Sequence, residues 1–461
     1  MENDIEKNVN DEKLNEKKFE GVRSIAIKTL SRFERSDSYL DKLLFNEIKH
    51  NNLNSLDKSL LTELVNGVIR WKDKLDWVLV GFYHGDYLKC LNIVKNSMRV
   101  ALYQILFLEK IPLHAAVNES VEVIKKIQGE KTAGIVNAVL RNISRNIENI
   151  RYPVKEDDVI YYLSVMYSFP RWMVRRWVDR FGGEETERLL FASNKRPHIP
   201  IRVNTLKSTT EEIEEILTER GVIFYRSQYL PNSIIVKFLR FDITTLDIFK
   251  EGKITIQDTS ASLAALLAKP EVGSTVLDLC AAPGGKSFCL AEQMQDKGRV
   301  LAIDKYYSKL TFINDGAERL GLKSISTLVA DSLNFEIGDS VDVVFADVPC
   351  SGLGTLSKKP DIKWKRERED IFKIADYQKE IINAASKLVK LKGVLVYSTC
   401  TIEPEENIEN IEWFLKEHPN FEIDPAEKYL PEAVCKDGFM QTFSHIHHID
   451  GAFAARLIRK E

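Results

Sequence analysis

The sequence VLDLCAAPGGK at residues 276–286 decides how the C-terminal half of the chain folds. Residues 276–279 form an apolar run typical of a buried strand, and the small residues after them predict a turn into a helix. RVLAID at residues 299–304 is the next such run, and it ends in an acid nineteen residues after Gly285. This spacing is typical of a turn that holds a nucleoside-containing ligand, with a carboxylate for the ribose hydroxyls.

Strands and helices continue to alternate on both sides of this motif. A third apolar run at residues 327–330 is followed by Asp331, which we expect to meet the edge of an adenine. Regular alternation predicts a parallel sheet with helices on both faces. We therefore expect residues 246–461 to form an α/β domain of the Rossmann-like type.

Two cysteine-bearing segments follow two further apolar runs. DVPCSGLG at residues 347–354 follows VDVVFA, and STC at residues 398–400 follows VLVY. Both cysteines should therefore lie at the carboxyl ends of strands, where open α/β sheets bind ligands. Two thiols at one edge, the first beside Asp347, indicate thiolate chemistry on an electrophilic ring, provided that they stay reduced.

The composition favours a cytoplasmic protein. The chain of 461 residues has six cysteines without a CxxC pair, which argues against a disulfide framework and against a zinc site, so we predict no metal. No apolar stretch approaches the length of a membrane span, and residues 1–20 form a charged, solvated tail without the apolar core of a signal peptide. We expect no membrane association.

Residues 21–150 are predicted to be all helical and mildly basic. They carry 19 basic and 14 acidic groups, and apolar residues recur at helical spacing after Pro112 and again from Val136 to Ile143. DKSLLTELVNGVIR from residue 57, IPLHAAVNE from residue 111 and VNAVLR from residue 136 resemble the NusB-type RNA-binding helical domain. The resemblance implies an RNA-binding bundle over this segment.

The pattern changes to a mixture over residues 151–245. PIRVNTL at residues 200–206 predicts a strand, and the next residues predict a helix ending at Gly221 and a further strand. We expect a small α+β linker subdomain that takes part in RNA binding.

A phosphate-binding alternative arises from GGKS at residues 284–287, which ends like a P-loop. VVFAD at residues 343–347 also resembles the strand that supplies a magnesium ligand in such enzymes. The P-loop signature requires a glycine where this chain has Cys280, and carboxylates at 304 and 331 would repel phosphates. These features indicate that the ligand is a nucleoside without phosphate rather than a nucleoside triphosphate.

Four sequences together resemble the RNA cytosine-C5 methyltransferases. They are DLCAAPGGK at 278–286, DVPCSGLGTL at 347–356, PDIKW at 360–364 and STC at 398–400. With the NusB-like N-terminal segment, the resemblance narrows to the bacterial 16S ribosomal RNA methyltransferases of the RsmB (Sun/Fmu) type. It implies S-adenosylmethionine as the cofactor, and 16S ribosomal RNA or a small-subunit assembly intermediate as the partner of a monomeric protein.

The resemblance also implies a role for individual residues. Cys400 is the expected nucleophile, Cys350 the helper in release of the product, and Asp347 the contact to the base edge. The residues alone leave the choice between the cysteines open, because a Pro-Cys nucleophile also fits the DNA cytosine-C5 enzymes. The expected cofactor-binding residues are Cys280, Ala281, Ala282, Pro283, Gly284, Gly285, Lys286, Asp304, Asp331 and Asp347.

A basic segment follows the Cys350 loop and is expected to bind RNA through Lys358, Lys359, Lys363, Lys365 and Arg366. Two departures from the family pattern occur here and near the C-terminus: Lys358-Lys359 replaces arginine and histidine, and DGAF at residues 450–453 replaces Gly-Phe-Phe. A non-catalytic RNA-binding assembly factor remains the alternative to an enzyme. It would bind RNA without transferring a methyl group.

Overall fold

The computed structural model describes residues 19, 21–109, 111–239 and 241–460, so all but Phe19 of the predicted charged tail lies outside the described residues. The described chain forms two compact units. The first ends at Asn194 and also contains Lys359–Lys365, and the second contains the rest. Within these ranges, no helix combines the length and the apolar character that crossing a membrane requires.

The helices, in chain order, are α1 Val22–Phe33, α2 Leu40–His50, α3 Ser55–Arg70, α4 Lys72–Phe82, α5 Asn92–Phe107, α6 Leu113–Gln128, α7 Glu130–Arg145, α8 Val159–Tyr167, α9 Arg171–Phe181, α10 Gly183–Ser193, α11 Thr210–Glu219, α12 Asp247–Lys250, α13 Thr259–Ala268, α14 Gly285–Gln293, α15 Tyr307–Leu320, α16 Ile362–Lys365, α17 Arg368–Ser386, α18 Ile408–Glu417 and α19 Ser444–His447. The strands are β1 Ile199–Val203, β2 Ile223–Arg226, β3 Ser233–Phe238, β4 Ile254–Ile256, β5 Thr275–Leu279, β6 Arg299–Asp304, β7 Ile325–Val329, β8 Val341–Asp347, β9 Val389–Thr399, β10 Phe421–Ile423, β11 Cys435–Lys436, β12 Phe439–Thr442 and β13 Ala452–Arg459.

Helices α1 to α7 of the first unit pack around one apolar core. Val117 and Ile124 of α6 and Val136 and Leu140 of α7 are buried in it, at the positions where the sequence shows helical stripes. Burial of such a stripe is the main source of stability for helices of this length. The predicted all-helical N-terminal bundle is confirmed.

The first unit also contains α8 to α10 and the short helix α16. In α16, the indole Nε1 of Trp364 donates to the carbonyl of Ile69 at 2.8 Å, and its ring packs against the helical core. The backbone N–H of Leu40 donates to the carboxylate of Asp361 at 3.0 Å. A short piece of the C-terminal sequence therefore completes the N-terminal unit, and the boundary predicted at residue 150 falls within this unit.

The small sheet of the second unit is antiparallel, with the order β2-β3-β1-β4. α11 covers it and starts with a capping box, in which Thr209 and Glu212 each bond the other's backbone N–H, at 3.2 Å and 3.1 Å. The predicted α+β subdomain is confirmed. Its fourth strand, β4, lies beyond the predicted end at residue 245.

The large sheet has the order β11-β12-β13-β9-β8-β5-β6-β7, and β10 also pairs with β13. Strands β5 to β9 are parallel to one another. Successive residues of β5 face different apolar cores, Val276 on one side and Leu277 on the other, so helices cover both faces. The predicted Rossmann-like α/β domain is confirmed.

The sheet is mixed: β5 to β9 form the predicted parallel part, whereas β10 to β13 run antiparallel to their neighbours. Asp437 and Gly438 join β11 to β12 with φ angles of 55° and 84°, which form a two-residue hairpin turn. Hairpin connections make antiparallel neighbours, whereas helical crossovers make parallel ones.

The order of the parallel strands positions the site. From β5 the chain continues to β6 and β7 on one side of the sheet and to β8 and β9 on the other. In open α/β sheets a ligand binds where the order reverses in this way, at the carboxyl ends of the central strands. Here that point lies between β5 and β8.

Candidate active site

A tight turn joins the end of β5 to α14 at this edge of the sheet. Cys280 and Gly284 adopt positive φ angles of 60° and 103° within it. Only glycine suits the second position, since an added Cβ would lie 2.7 Å from Cζ of Phe288. α14 begins at Gly285, and the first N–H groups of a helix have no partner within it. The turn therefore offers backbone donors close to the ends of the strands.

Two carboxylates lie at the ends of the adjacent strands. Asp304 ends β6 and is buried, and its Oδ1 accepts a hydrogen bond from the N–H of Tyr306 at 3.1 Å. Asp331 follows β7 and accepts a hydrogen bond from Lys305 at 2.9 Å, which lowers the pKa of Asp331. Carboxylates at this edge suit hydroxyl and amino donors and repel phosphates. These donors and acceptors fit S-adenosylmethionine.

The two cysteine segments meet at the ends of β8 and β9. These strands are parallel neighbours, with Asp347 opposite Ser398. The sulfur atoms of Cys350 and Cys400 lie 3.0 Å apart, and the N–H of Cys400 donates to the sulfur of Cys350 at 3.3 Å. The fold thus brings together two thiols that are fifty residues apart in the sequence.

Local charges distinguish the two thiols. The hydrogen bond with Cys400 raises the pKa of Cys350 well above its ordinary value, and burial raises it further. Burial lowers the pKa of Lys286, but the charges of Asp347 and Cys400 outweigh this and raise it. Because an interaction between two charges is mutual, Lys286 favours the thiolate form of Cys400. A positive charge therefore lies near Cys400, whereas the hydrogen bond and burial favour the thiol form of Cys350.

The carboxylate of Asp347 is held on both sides. Its Oδ2 accepts a hydrogen bond from Lys286 at 2.6 Å, and its Oδ1 accepts one from the hydroxyl of Ser398 at 2.6 Å. Lys286, predicted as a cofactor residue, therefore also contacts the predicted catalytic carboxylate. Ser398 was not predicted, although its place two residues before Cys400 in the STC motif is a signal.

A second carboxylate that the sequence analysis missed lies within β5. Asp278 is buried, and its Oδ2 accepts a hydrogen bond from Ser287 at 2.5 Å. Burial raises the pKa of Asp278 from 3.8 to about 7. A carboxyl with this pKa is partly protonated near neutral pH, and it lies two residues before the turn at residues 280–286.

Of the residues predicted to bind RNA, Lys358 and Arg366 contact other residues of the second unit. The ammonium of Lys358 pairs with Asp258 and Asp450, and Arg366 donates to the carbonyl of Ser351 at 3.1 Å. The two departures from the family pattern, Lys358 and Asp450, thus meet in one ion pair. RNA binding by Lys358 and Arg366 remains a prediction.

The other three predicted RNA-binding residues belong to the first unit. Lys363 is buried and donates to the carbonyl of Arg70 at 2.8 Å, and burial lowers its pKa well below the ordinary value. Lys365 donates to the carbonyl of Ser36 at 2.6 Å, whereas Lys359 is exposed. The structure gives Lys363 an internal role, and Lys359 has the accessible ammonium that a phosphate contact requires.

Three of the other cysteines, Cys280, Cys289 and Cys435, are poorly suited to nucleophilic chemistry. Burial raises the pKa of Cys280 to about 12 and that of Cys435 to about 11, and it also raises the pKa of Cys289. Within the described ranges no group of histidine, cysteine or acidic side chains is arranged to hold a metal ion.

The phosphate-binding alternative gains no support from the geometry. A P-loop lysine contacts phosphate, and the acid after the neighbouring strand holds magnesium. In this chain the corresponding Lys286 and Asp347 are bonded to each other.

Comparison with known proteins agrees with this geometry. Residues 265–458 match the family model described as 16S rRNA methyltransferase RsmB/F, residues 20–145 match the NusB family, and residues 169–238 match the ferredoxin-like domain of RsmF/B-like methyltransferases.

Individual relatives match nearly the whole chain. A probable ribosomal RNA small subunit methyltransferase B of Bacillus subtilis is 37% identical over 95% of this chain and 99% of its own length. A protein of the same description from Synechocystis is 33% identical over the same shares of the two chains. The crystal structure of PH0851 superposes with a TM-score of 0.80 at 29% identity, over 96% of this chain and 98% of that chain. The chain belongs to the RsmB/F family of 16S rRNA methyltransferases.

Proposed function

We propose that the protein transfers a methyl group from S-adenosylmethionine to C5 of a cytosine in 16S ribosomal RNA, through a covalent bond between Cys400 and C6. The observation that carries this proposal is the pair of thiols 3.0 Å apart at the ends of β8 and β9. A methyl transfer to a nucleophilic nitrogen or oxygen needs no thiol. Transfer to C5 of cytosine needs a nucleophile and a means of release.

The chemistry divides into an addition, a transfer and an elimination. The thiolate of Cys400 adds to C6, and the electrons of the C5–C6 double bond move towards C5 and the ring. When bound, S-adenosylmethionine supplies an electrophilic methyl group on its sulfonium sulfur, and the new C5–CH₃ bond forms as the S–CH₃ bond breaks. A base then removes the C5 proton, the C6–S bond breaks, and the double bond and the thiolate of Cys400 are restored.

The electrostatics support Cys400 as the nucleophile. Lys286 favours its thiolate, while Cys350 keeps its proton because of the hydrogen bond to Cys400 and burial. We assign Cys350 to the elimination, because its sulfur lies 3.0 Å from the sulfur of Cys400, which is the atom that must leave C6.

Asp347 is assigned to the base edge. Lys286 and Ser398 fix its carboxylate at the end of β8, next to the two thiols. A carboxylate there can accept a hydrogen bond from the amino group of cytosine while charge develops on the ring. Fixing it in advance avoids reorganisation during the reaction.

For S-adenosylmethionine we propose a site formed by the turn at residues 280–286 and by the acids 304 and 331. Asp304 would hold the ribose hydroxyls. Within the described chain its carboxylate contacts the N–H of Tyr306 and, at 3.7 Å, the ammonium of Lys309, and both contacts are made by Oδ1. Oδ2 can therefore accept from the ligand. Asp331 would meet the adenine edge. The proposal places this action in the cytoplasm, on 16S ribosomal RNA or an assembling small subunit, with the NusB-like bundle as an RNA-binding part of a monomer.

Replacement of each cysteine tests the proposal. The assay is a denaturing gel with target RNA and S-adenosylmethionine, run beside a measurement of methyl transfer. Cys400→Ser should be inactive and give no denaturant-resistant adduct, whereas Cys350→Ser should trap the protein on RNA because release fails. Cys435→Ser is the control, since its thiol is remote from this chemistry in sequence and has a raised pKa.

Three outcomes would contradict the proposal in different ways. An adduct with Cys400→Ser and none with Cys350→Ser would reverse the two roles. Full turnover by both variants would exclude covalent catalysis by these thiols. RNA binding without methyl transfer by the wild-type protein would favour the non-catalytic assembly factor.

A further inference from the structure

A buried polar network holds the residues on either side of Cys350. The N–H of Ser351 donates to Oε2 of Glu406 at 2.8 Å. The side-chain amide of Gln378 donates both to that same Oε2, at 3.0 Å, and to the carbonyl of Pro349, at 2.9 Å. Both backbone neighbours of Cys350 are therefore attached to one pair of side chains, Gln378 on α17 and Glu406 in the turn before α18.

A second part of the network holds the residues on either side of Cys400. The hydroxyl of Thr399 donates to Oδ1 of Asn407 at 2.6 Å, and the amide of Asn407 donates to the carbonyl of Thr401 at 3.0 Å. A hydrogen bond of 2.8 Å between the hydroxyls of Ser351 and Thr401 joins the two parts.

This network is enclosed, which limits its movement. Gln378, Glu406 and Asn407 are at most 1% exposed. The hydroxyl of Tyr397 donates to the backbone carbonyl of Glu406 at 2.6 Å, and its oxygen also lies 3.0 Å from Oε1 of Gln378. Because these groups are buried, the bonds that they lose cannot be replaced by water, so the network favours one arrangement of the two loops.

We propose that Glu406 and Gln378 are positioning residues for Cys350 and therefore for release of the product, whereas Asn407 positions Cys400 for attack on C6. None of these side chains needs to contact the RNA or the cofactor. The inference rests on the proposed function, since it divides the covalent reaction into two separately positioned steps.

The physical reason is the sensitivity of each step to the place of one sulfur atom. A displacement of about 1 Å can cost about a hundredfold in rate. If only the Cys350 loop loses its anchor, Cys400 can still add to C6, but elimination slows and the adduct accumulates. If the Cys400 loop loses its anchor, the adduct does not form.

Glu406→Ala and Asn407→Ala test this division in the full-length protein. Glu406→Ala should lower turnover by about tenfold or more and accumulate the adduct in the presence of S-adenosylmethionine, as Cys350→Ser does. Asn407→Ala should lower turnover to a similar degree without any adduct. Glu406→Gln should restore turnover close to the wild-type rate, because its amide oxygen can accept both hydrogen bonds that Oε2 accepts.

Asp424→Asn is the matched control for simple loss of stability. Asp424 is also buried, but it accepts hydrogen bonds from Arg456 and Tyr429, at 2.7 Å and 2.5 Å, rather than from either cysteine loop. Asp424→Asn should leave the ratio of adduct to turnover unchanged. If calorimetry shows that Glu406→Ala does not bind S-adenosylmethionine, Tyr397→Phe is tested in its place, because loss of the hydroxyl weakens the same part of the network. Tyr397→Phe should also accumulate the adduct.

The outcomes separate this inference from the proposed function. If Cys350→Ser traps the adduct while Glu406→Ala and Tyr397→Phe lose turnover without trapping it, the network is merely structural and the inference is wrong. If Cys350→Ser itself forms no adduct, the proposed function is wrong and the inference falls with it. Trapping by Asn407→Ala would also overturn the division.

Discussion

Three cysteines follow the ends of β5, β8 and β9, and their surroundings give them different chemistry. Burial raises the pKa of Cys280 to about 12, whereas Cys400 lies within the field of Lys286. The sequence predicted that Cys350 and Cys400 converge, because both follow apolar runs. Only the family resemblance distinguished their roles, because Lys286 comes from a distant turn and the fold alone brings its charge near Cys400.

The raised pKa of Asp278 predicts a pH-dependent stability of the cofactor-free protein. The folded carboxyl, with a pKa of about 7 against 3.8 when unfolded, holds its proton more tightly, so its contribution to stability falls as the pH rises from about 4 to about 7. Asp278→Asn keeps an acceptor for Ser287 and removes this titration. The variant should therefore gain stability relative to wild type between pH 5 and pH 8, by roughly 2 to 3 kcal/mol.

Thermal unfolding of both proteins at the two pH values measures this gain. The Tm difference, variant minus wild type, should be larger at the higher pH. An equal Tm difference at both pH values would show that Asp278 does not titrate in this range.

The assignment of Asp304 to the ribose predicts a loss of cofactor affinity. Asp304→Ala removes up to two charge-assisted hydrogen bonds, each contributing about 1.5 to 3 kcal/mol, so affinity for S-adenosylmethionine should fall at least about tenfold. Titration calorimetry measures this affinity. Asp315→Ala removes the same charge from an exposed position on α15 and should bind normally. Unchanged affinity in folded Asp304→Ala would exclude the assignment.

At the scale of secondary-structure elements, the strands with continuous apolar runs were predictable. β6 and β8 lie within one residue of their predicted bounds. β9 begins at Val389, five residues before the predicted run, because its first residues alternate with lysines and lack a continuous apolar signal. β4 was missed, since a strand of three residues is recognised only through its pairing with β1.

Close packing of two loops predicts an intolerant glycine next to the thiols. The N–H of Gly354 donates to the carbonyl of Cys400 at 3.0 Å, and its carbonyl accepts from Gly451 at 2.9 Å. A Cβ at Gly354 would lie 1.9 Å from the carbonyl oxygen of Gly451 and 2.9 Å from that of Cys400. Gly354→Ala should therefore separate the loops and lower kcat by about tenfold or more.

Gly338→Ala is the control, since a Cβ there meets nothing within 4 Å. Methyl-transfer rates at saturating RNA and cofactor compare the two variants. Equal rates would mean that the loops adapt without moving Cys400.

At the scale of the whole molecule, the sequence predicted the helical, α+β and α/β parts in their correct order. It did not predict that Lys359–Lys365 belongs to the first unit. The segment is too short for a periodic signal, and its charges indicated a solvated or RNA-facing surface. Its internal contacts depend on partners that lie about three hundred residues earlier, such as Ile69 for Trp364.

This placement predicts that two lysines of one segment act in different ways. Lys363→Ala removes the hydrogen bond of 2.8 Å to the carbonyl of Arg70 and the contact of Nζ with the ring of Phe169, 3.9 Å from its centroid. It should destabilise the first unit by about 2 kcal/mol. Lys359→Ala removes an exposed charge and should change stability by less than about 0.5 kcal/mol.

Salt dependence of RNA binding separates the two effects. If Lys359 contacts a phosphate, its loss should reduce the slope of log affinity against log salt concentration by about 1, because fewer counterions are released. The amino group of Lys363 is buried, so folded Lys363→Ala should keep the wild-type slope. Circular dichroism confirms folding before each titration. A reduced slope for Lys363→Ala without loss of stability would mean that this lysine leaves its buried site to bind RNA, and the internal role would then be wrong.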